Sequence, residues 1–235
     1  MAKDSQATRG RGEASRGNKV YRDLVDRIRS GELSPGTRLR EEDIAKMLAV
    51  SRTPVREAFA RLQERGLLET SSGGMAVAKL GRPQVMELYA VRARLEGAAA
   101  SFAAENASAA EVASLRHAAA LFDSQQKTAL EAARANTMFH EAVYEAAHNS
   151  YLMRMLEDLN DSLALLPDTT FSVPGRKEAA RAEHRAIIEA IENRDPSLAE
   201  AAARSHIANA LDGRLKMLFS AGALAQSAAV KSTSE

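Results

Sequence analysis

The stretch VSRTPVREAFARLQERGLLE, Val50 to Glu69, constrains the fold more than any other part of this 235-residue chain. Val55, Ala58, Phe59 and Leu62 recur on one face of a helix that Gly66 ends. Ser51 or Thr53 can cap its start, and Pro54 costs little in a first turn whose N–H groups lack helical partners. Arg52 and Arg56, at i and i+4, share a face turned away from the Val55 and Phe59 stripe. Free N–H groups and the helix dipole attract a phosphate, and arginine can bond a guanine edge bidentately. Two arginines alone would be an ordinary solvated face, so the neighbouring segments decide.

Upstream, Val20, Leu24, Val25 and Ile28 keep helical spacing up to Gly31, and LSPGTRL forms a turn around Pro35 and Gly36. EEDIAKML is a second short helix with Ile44, Ala45 and Leu48 facing inward, and AVS turns into the third. Beyond Gly66, LLETSSGGMAVAKL reads as two short strands joined by a Ser/Gly turn. Helix, helix, helix, hairpin is the order of a winged helix-turn-helix, whose second motif helix enters the major groove. That unit is expected over residues 18–80, with residues 1–17 a disordered tail whose arginines are solvated. Residues 1–80 hold 16 Lys and Arg against 11 Asp and Glu, while the remainder holds 16 against 20. A basic front and an acidic back point the front at a polyanion, double-stranded DNA.

From Pro83 to about residue 222 the pattern is helical throughout, in six amphipathic, alanine-rich segments near 83–105, 108–127, 129–148, 150–166, 176–193 and 196–222. The expected fold is mainly α: an N-terminal winged helix-turn-helix and a C-terminal antiparallel six-helix bundle, with residues 223–235 a flexible tail. The chain has no cysteine, which excludes disulfides and thiolate metal ligands. No apolar stretch approaches the roughly 18 residues of a membrane span and no signal-peptide core opens the chain, so a cytoplasmic protein is expected.

Within the helical half, His140 follows Asn136 by one turn, and His184 and His206 sit on two later helices beside the apolar stripe. Three helices each offering an imidazole could assemble an N/O metal site for Zn, Ni, Fe or Mn. From spacing alone, histidines this far apart are more often unrelated surface or core residues, and His117 and His148 have no such companions. A hydrolase built on such a metal is the alternative function, but Glu183 points about 100° away from His184 on a helix. No HExxH pattern, phosphate loop or nucleophile elbow is present. A regulator is therefore favoured over an enzyme.

IRSGELSPGTRLREEDIAKMLAVSRTPVREAFARLQERGLLE resembles the winged helix-turn-helix of the GntR family of bacterial transcription regulators. The resemblance gives DNA-contact roles to Arg38, Ser51, Arg52, Thr53 and Arg56, with Gly73 and Gly74 at the wing tip. Where many relatives carry NRG in the wing, this chain has SSGGM and lacks the wing arginine. LYAVRARLEGAAA, NTMFHEAV and EHRAIIEAI are similar to the FCD ligand-binding domain of the FadR-type subfamily, and six helices place it nearer the VanR-like branch. By that resemblance Asn136, His140, His184 and His206 bind a divalent metal such as Zn, Ni or Mn, and a small carboxylate effector completes its coordination. Arg92 is implied as a pocket arginine, although its spacing equally permits an i, i+4 pair with Glu96. The implied protein is a homodimer on an inverted-repeat operator, and repression relieved by ligand is the commonest arrangement in the family.

Overall fold

The computed structural model describes residues 4–72, 74–124, 128–166 and 168–232, with side chains between residues 16 and 219. Chain contacts divide it into two compact units, residues 1–80 with 158–167, and residues 81–157 with 168–235.

The first unit contains α1 (Asp4–Arg29), β1 (Arg38–Leu39), α2 (Glu41–Met47), α3 (Arg52–Glu64), β2 (Leu68–Ser71) and β3 (Gly74–Val77). The strands form an antiparallel sheet in the order β1-β3-β2, with Arg38 opposite Ala76 and Thr70 opposite Met75. The hairpin was legible from its Ser/Gly turn. β1 was not, because two residues are too short to show an alternating pattern. Leu24, Val55, Leu62 and Val77 are sealed from solvent, and Tyr21, Ile28, Leu39, Phe59 and Leu67 pack around them. The apolar spacing that defined three helices is thus the spacing that builds the core. α1 continues N-terminally to Asp4, across the stretch that composition suggested as a tail.

Residues 158–167 also belong to this unit. Leu165 is buried in its core, and buried Asp161 accepts hydrogen bonds from Tyr21 Oη at 3.3 Å and Arg65 Nη1 at 3.2 Å, and another from Arg29. The helical period over 150–166 fits a bundle helix equally well, so this grouping leaves no mark in the sequence pattern.

The second unit contains α4 (Arg82–Asn106), α5 (Ala109–Asp123), α6 (Ala129–Ala146), the start of α7 (Ser150–Leu163), a 3-10 turn at Thr170–Ser172, α8 (Arg176–Glu192) and α9 (Pro196–Ser232). These are the six helices read from the periodicity, except that α9 runs on to Ser232 across most of the stretch expected to be a flexible tail. Reciprocal capping boxes start α5 and α6: Ser108 N–H donates to Glu111 at 2.7 Å, and Thr128 N–H donates to Glu131 at 3.0 Å. Asp195 caps α9 by accepting the Leu198 N–H at 2.9 Å, with Pro196 in the first helical position as expected. Ala99, Ala100, Ala103 and Ala104 of α4 are buried against Phe139, Leu115, Ile187 and Ile191. Small side chains let backbones approach, and Gly97 is the tightest case. A Cβ built there would lie 2.8 Å from Arg204 Cγ on α9, so α4 and α9 can be close only because Gly97 has none. The 3-10 turn packs on α6, α8 and α9. No helix among the described residues is long and apolar enough to cross a membrane.

Candidate functional site

The first turn of α3 presents Ser51, Arg52, Thr53 and Arg56 to solvent while Pro54, Val55, Ala58, Phe59 and Leu62 are buried. Ser51 occupies the N-cap with extended backbone (φ −74, ψ 166), yet its side chain makes no bond to the helix. The physical reason is Pro54. An N-cap oxygen normally accepts from the second or third helical N–H, and the third residue here has none. The Ser51 hydroxyl and the first-turn N–H groups are consequently open to a ligand, while Thr53 lies inside the turn and does not cap it.

Two glutamates that the sequence reading left unassigned hold the arginines. Glu41 accepts from Arg56 Nε at 3.1 Å and Nη2 at 3.0 Å and from Arg52 Nη2 at 3.2 Å, while Glu42 accepts from Arg52 Nη1 at 3.0 Å. Hydrogen bonds from Arg56 and then Arg52 keep the Glu41 carboxyl below the usual carboxylate range, against a partial desolvation that opposes them. Such exposed pairs contribute little stability. They hold two long side chains in place. Arg38 is exposed on β1, and Gly74 is exposed at the hairpin turn with φ +117. Gly73 lies outside the described residues.

In the second unit α6, α8 and α9 bring His140, His184 and His206 together. All three are buried, and one candidate ligand atom from each lies within 4.8 Å of the others. Each outer imidazole is held by a carboxylate: His140 Nδ1 lies 2.5 Å from Glu96 Oε2, and His206 Nδ1 lies 2.6 Å from Glu183 Oε2. A carboxylate at Nδ1 selects the tautomer with its proton there and leaves a lone pair on Nε2. The two Nε2 atoms face each other at 3.1 Å. Two lone pairs at that distance repel unless a proton or a cation lies between them.

His184 stacks on Phe139 with ring centroids 4.0 Å apart and meets Phe122 edge-on at 4.8 Å. Both of its ring nitrogens are buried without a hydrogen-bond partner, as is Asn136 Oδ1. Burial, reinforced by the neighbouring imidazoles, pushes His184 far below the ordinary histidine range. Burial likewise pushes His206 down to about 4, with Glu183 opposing. These two are therefore neutral near pH 7, the form that binds metal. Three imidazoles and an amide oxygen fit a divalent cation such as Zn, Ni or Mn. The 3.1 Å spacing suits two nitrogens bound to one ion at about 2.0–2.1 Å.

Arg92 forms the i, i+4 pair: its Nε donates to Glu96 Oε1 at 2.6 Å, with Glu96 buried and Arg92 partly so. Burial pushes Glu96 up, but Arg92 and His140 outweigh it and hold the carboxyl well below its usual range. Arg92 therefore reaches the cluster through Glu96. On the opposite side, buried Arg176 donates Nη2 to Glu183 Oε2 at 2.8 Å, and Asn209 donates to Glu183 Oε1 at 2.8 Å. Glu96, Glu183 and Arg176 were all missed as site residues. Only the four-residue step from Arg92 to Glu96 carried a signal. Of the remaining histidines, His117 is exposed and His148 pairs with Glu111 at 2.8 Å on the surface.

The family model for bacterial regulatory proteins of the gntR family matches residues 16–77, and that for the FCD domain matches residues 87–209. The chain belongs to the GntR family of transcriptional regulators, with an FCD domain. Among curated relatives it is 34% identical over 195 residues to a Paenarthrobacter nicotinovorans protein titled "Probable D-xylose utilization operon transcriptional repressor", covering 79% of this chain and 82% of that one. It is 30% identical to the HTH-type transcriptional regulator YdhC of Bacillus subtilis, over 80% of this chain and 84% of that one. The solved structure of Escherichia coli McbR/YncC aligns with a TM-score of 0.70 at 25% identity, over 87% of this chain and 97% of that one. This GntR-family protein is thus a DNA-binding transcriptional regulator with an FCD effector-binding domain. Its relatives are regulators and not enzymes, which sets the hydrolase alternative aside.

Proposed function

We propose that this regulator binds an inverted-repeat operator as a homodimer, using Arg38, Ser51, Arg52, Thr53 and Arg56 with Gly73 and Gly74 at the wing. Asn136, His140, His184 and His206 hold a divalent cation, and a small carboxylate bound there changes operator affinity. Repression relieved by ligand is the direction we favour, in keeping with the 34%-identical relative titled a repressor. A 29%-identical relative is titled an activator of the Glc operon, so the sign is read from the DNA assay below. Six helices after Arg82 favour the VanR-like branch of the FCD regulators.

The observation that supports this reading is the pair of facing Nε2 atoms 3.1 Å apart with His184 clustered beside them, together with a buried Asn136 Oδ1 one helical turn before His140; neither His184 nor that oxygen has a hydrogen-bond partner. When bound, the cation supplies a Lewis-acidic point for an anionic oxygen. Glu96 and Glu183 fix the two imidazole tautomers, Phe139 and Phe122 orient the third ring, and burial keeps His184 and His206 unprotonated. In the proposed switch the effector shifts α4, which begins at Arg82 directly after the head's residues 1–80 in sequence. Only a ligand with unequal affinity for two head arrangements can act this way. The test is operator affinity of zinc-loaded protein across a panel of sugar acids, dicarboxylates and aromatic acids, for wild type and for His140→Ala. A response in wild type that the variant loses supports the proposal. A response that survives in His140→Ala refutes the metal-dependent part.

A further inference from the structure

Arg176 is 6% exposed, opens α8, and still has most of its hydrogen-bonding capacity unused. Nη2 donates to Glu183, whereas buried Nε and Nη1 donate to no protein atom. A guanidinium carries five N–H donors, so three of them, one on Nε and two on Nη1, face the interior without an acceptor. Unmade bonds from a buried charged group are costly, and native proteins seldom leave them. The position adds to the cost, because a cation in the first turn of a helix opposes the dipole.

The surroundings show what the open donors face. Nη2 lies 3.5 Å from His206 Nδ1, so the guanidinium runs alongside one of the clustered imidazoles. Gly213 of α9 packs beside it: a Cβ built there would be in ordinary van der Waals contact with Thr170 Cβ at 3.6 Å and Arg176 Cδ at 3.8 Å. The local charges balance in pairs, Arg92 with Glu96 and Arg176 with Glu183. Imidazole and amide ligands bring no negative charge, so the two positive charges of a bound cation are left uncompensated. Arg92 donates to Glu96 through Nε and leaves no buried donor unpaired, whereas Nε and Nη1 of Arg176 are both buried without a partner.

We propose that Arg176, rather than Arg92, is the anion anchor of the FCD site, and that its Nη1 and Nε groups take a carboxylate oxygen of the effector. This rests on the cation-binding reading above and extends it to a residue that the resemblance did not indicate. Charge-assisted hydrogen bonds from a planar guanidinium favour a carboxylate over a neutral isostere.

The test uses the full-length protein loaded with Co(II), whose visible spectrum reports the coordination sphere, titrated with acetate and with acetamide as the neutral control. Wild type should respond to acetate and not to acetamide. Arg176→Met should still take up Co(II) but need about tenfold more acetate or worse. Arg176→Lys keeps the charge without the fork and should fall between the two; it also covers the case in which the methionine variant fails to fold. An acetate response in either variant equal to that of wild type overturns the anchor role while leaving the cation reading intact. A wild-type spectrum indifferent to acetate also overturns it. Failure of wild-type protein to bind Co(II) overturns the underlying reading instead.

Discussion

Replacing Glu183 by glutamine isolates the contribution of a carboxylate that never touches the cation. Glu183 accepts three hydrogen bonds, from His206 Nδ1 at 2.6 Å, Arg176 Nη2 at 2.8 Å and Asn209 Nδ2 at 2.8 Å. Glutamine has the same shape, but its amide NH2 must replace one accepting oxygen. If the amide oxygen stays on His206 and Arg176, Asn209 meets a donor; if it turns, the two buried donors do. The negative charge that raises the basicity of His206 and offsets buried Arg176 disappears in either case. Losing a partner of this kind typically weakens metal affinity by about 10- to 100-fold, or about 1.4–2.7 kcal/mol. A chelating fluorophore competing for zinc against wild type and Glu183→Gln measures the ratio directly, and far-UV circular dichroism of the metal-free forms checks that both are folded. Equal zinc affinities in two folded proteins would refute the claim that Glu183 positions a metal-binding imidazole.

Four further outcomes follow from individual contacts. Asn136→Asp places a full negative charge where Asn136 Oδ1 is now buried and unbonded, so zinc should bind more tightly and acetate less tightly to the loaded protein, both by calorimetry. Arg52→Ala should lower operator affinity by about 1–3 kcal/mol if the arginine reads a base bidentately; an unchanged band shift would remove it from the recognition surface. Asp161→Asn weakens the bonds from Arg29, Arg65 and Tyr21. Because both arginines are substantially exposed, the loss should be about 1–2 kcal/mol, read from the urea midpoint. Ser108→Ala removes the acceptor of the Glu111 N–H at the start of α5. It should cost about 1 kcal/mol, or roughly 2–4 °C in Tm.

Much of the architecture was legible because its signals are local. Six bundle helices follow from apolar periodicity, and Asp195 with Pro196 marked the start of α9. Gly66 marked the end of α3 equally plainly. β1 and the grouping of residues 158–167 with the head depend on contacts between distant residues, and neither leaves a periodic trace. The three histidines illustrate the same division. Their burial was hinted at by positions beside apolar stripes, but nothing local says that His140 and His206, 66 residues apart, meet at 3.1 Å. The family resemblance supplied that grouping. Neither route found Glu183 or Arg176. The angular step from His184 correctly points Glu183 away from that ring, and it is the neighbouring helix that brings His206 to it. The sequence leaves Ser51 and Thr53 open as caps; the structure puts Ser51 at the N-cap without a side-chain bond, because Pro54 removes a capping donor as well as an unpaired N–H.

Anomalous X-ray scattering from crystals of the zinc-loaded protein would locate a divalent cation among the imidazoles. One strong zinc peak is expected between His140 Nε2 and His206 Nε2, at bond lengths of about 2.0–2.1 Å, with His184 and Asn136 Oδ1 in the same coordination sphere. A zinc-saturated crystal with no peak at the cluster, or with His184 turned away from the peak, would contradict it.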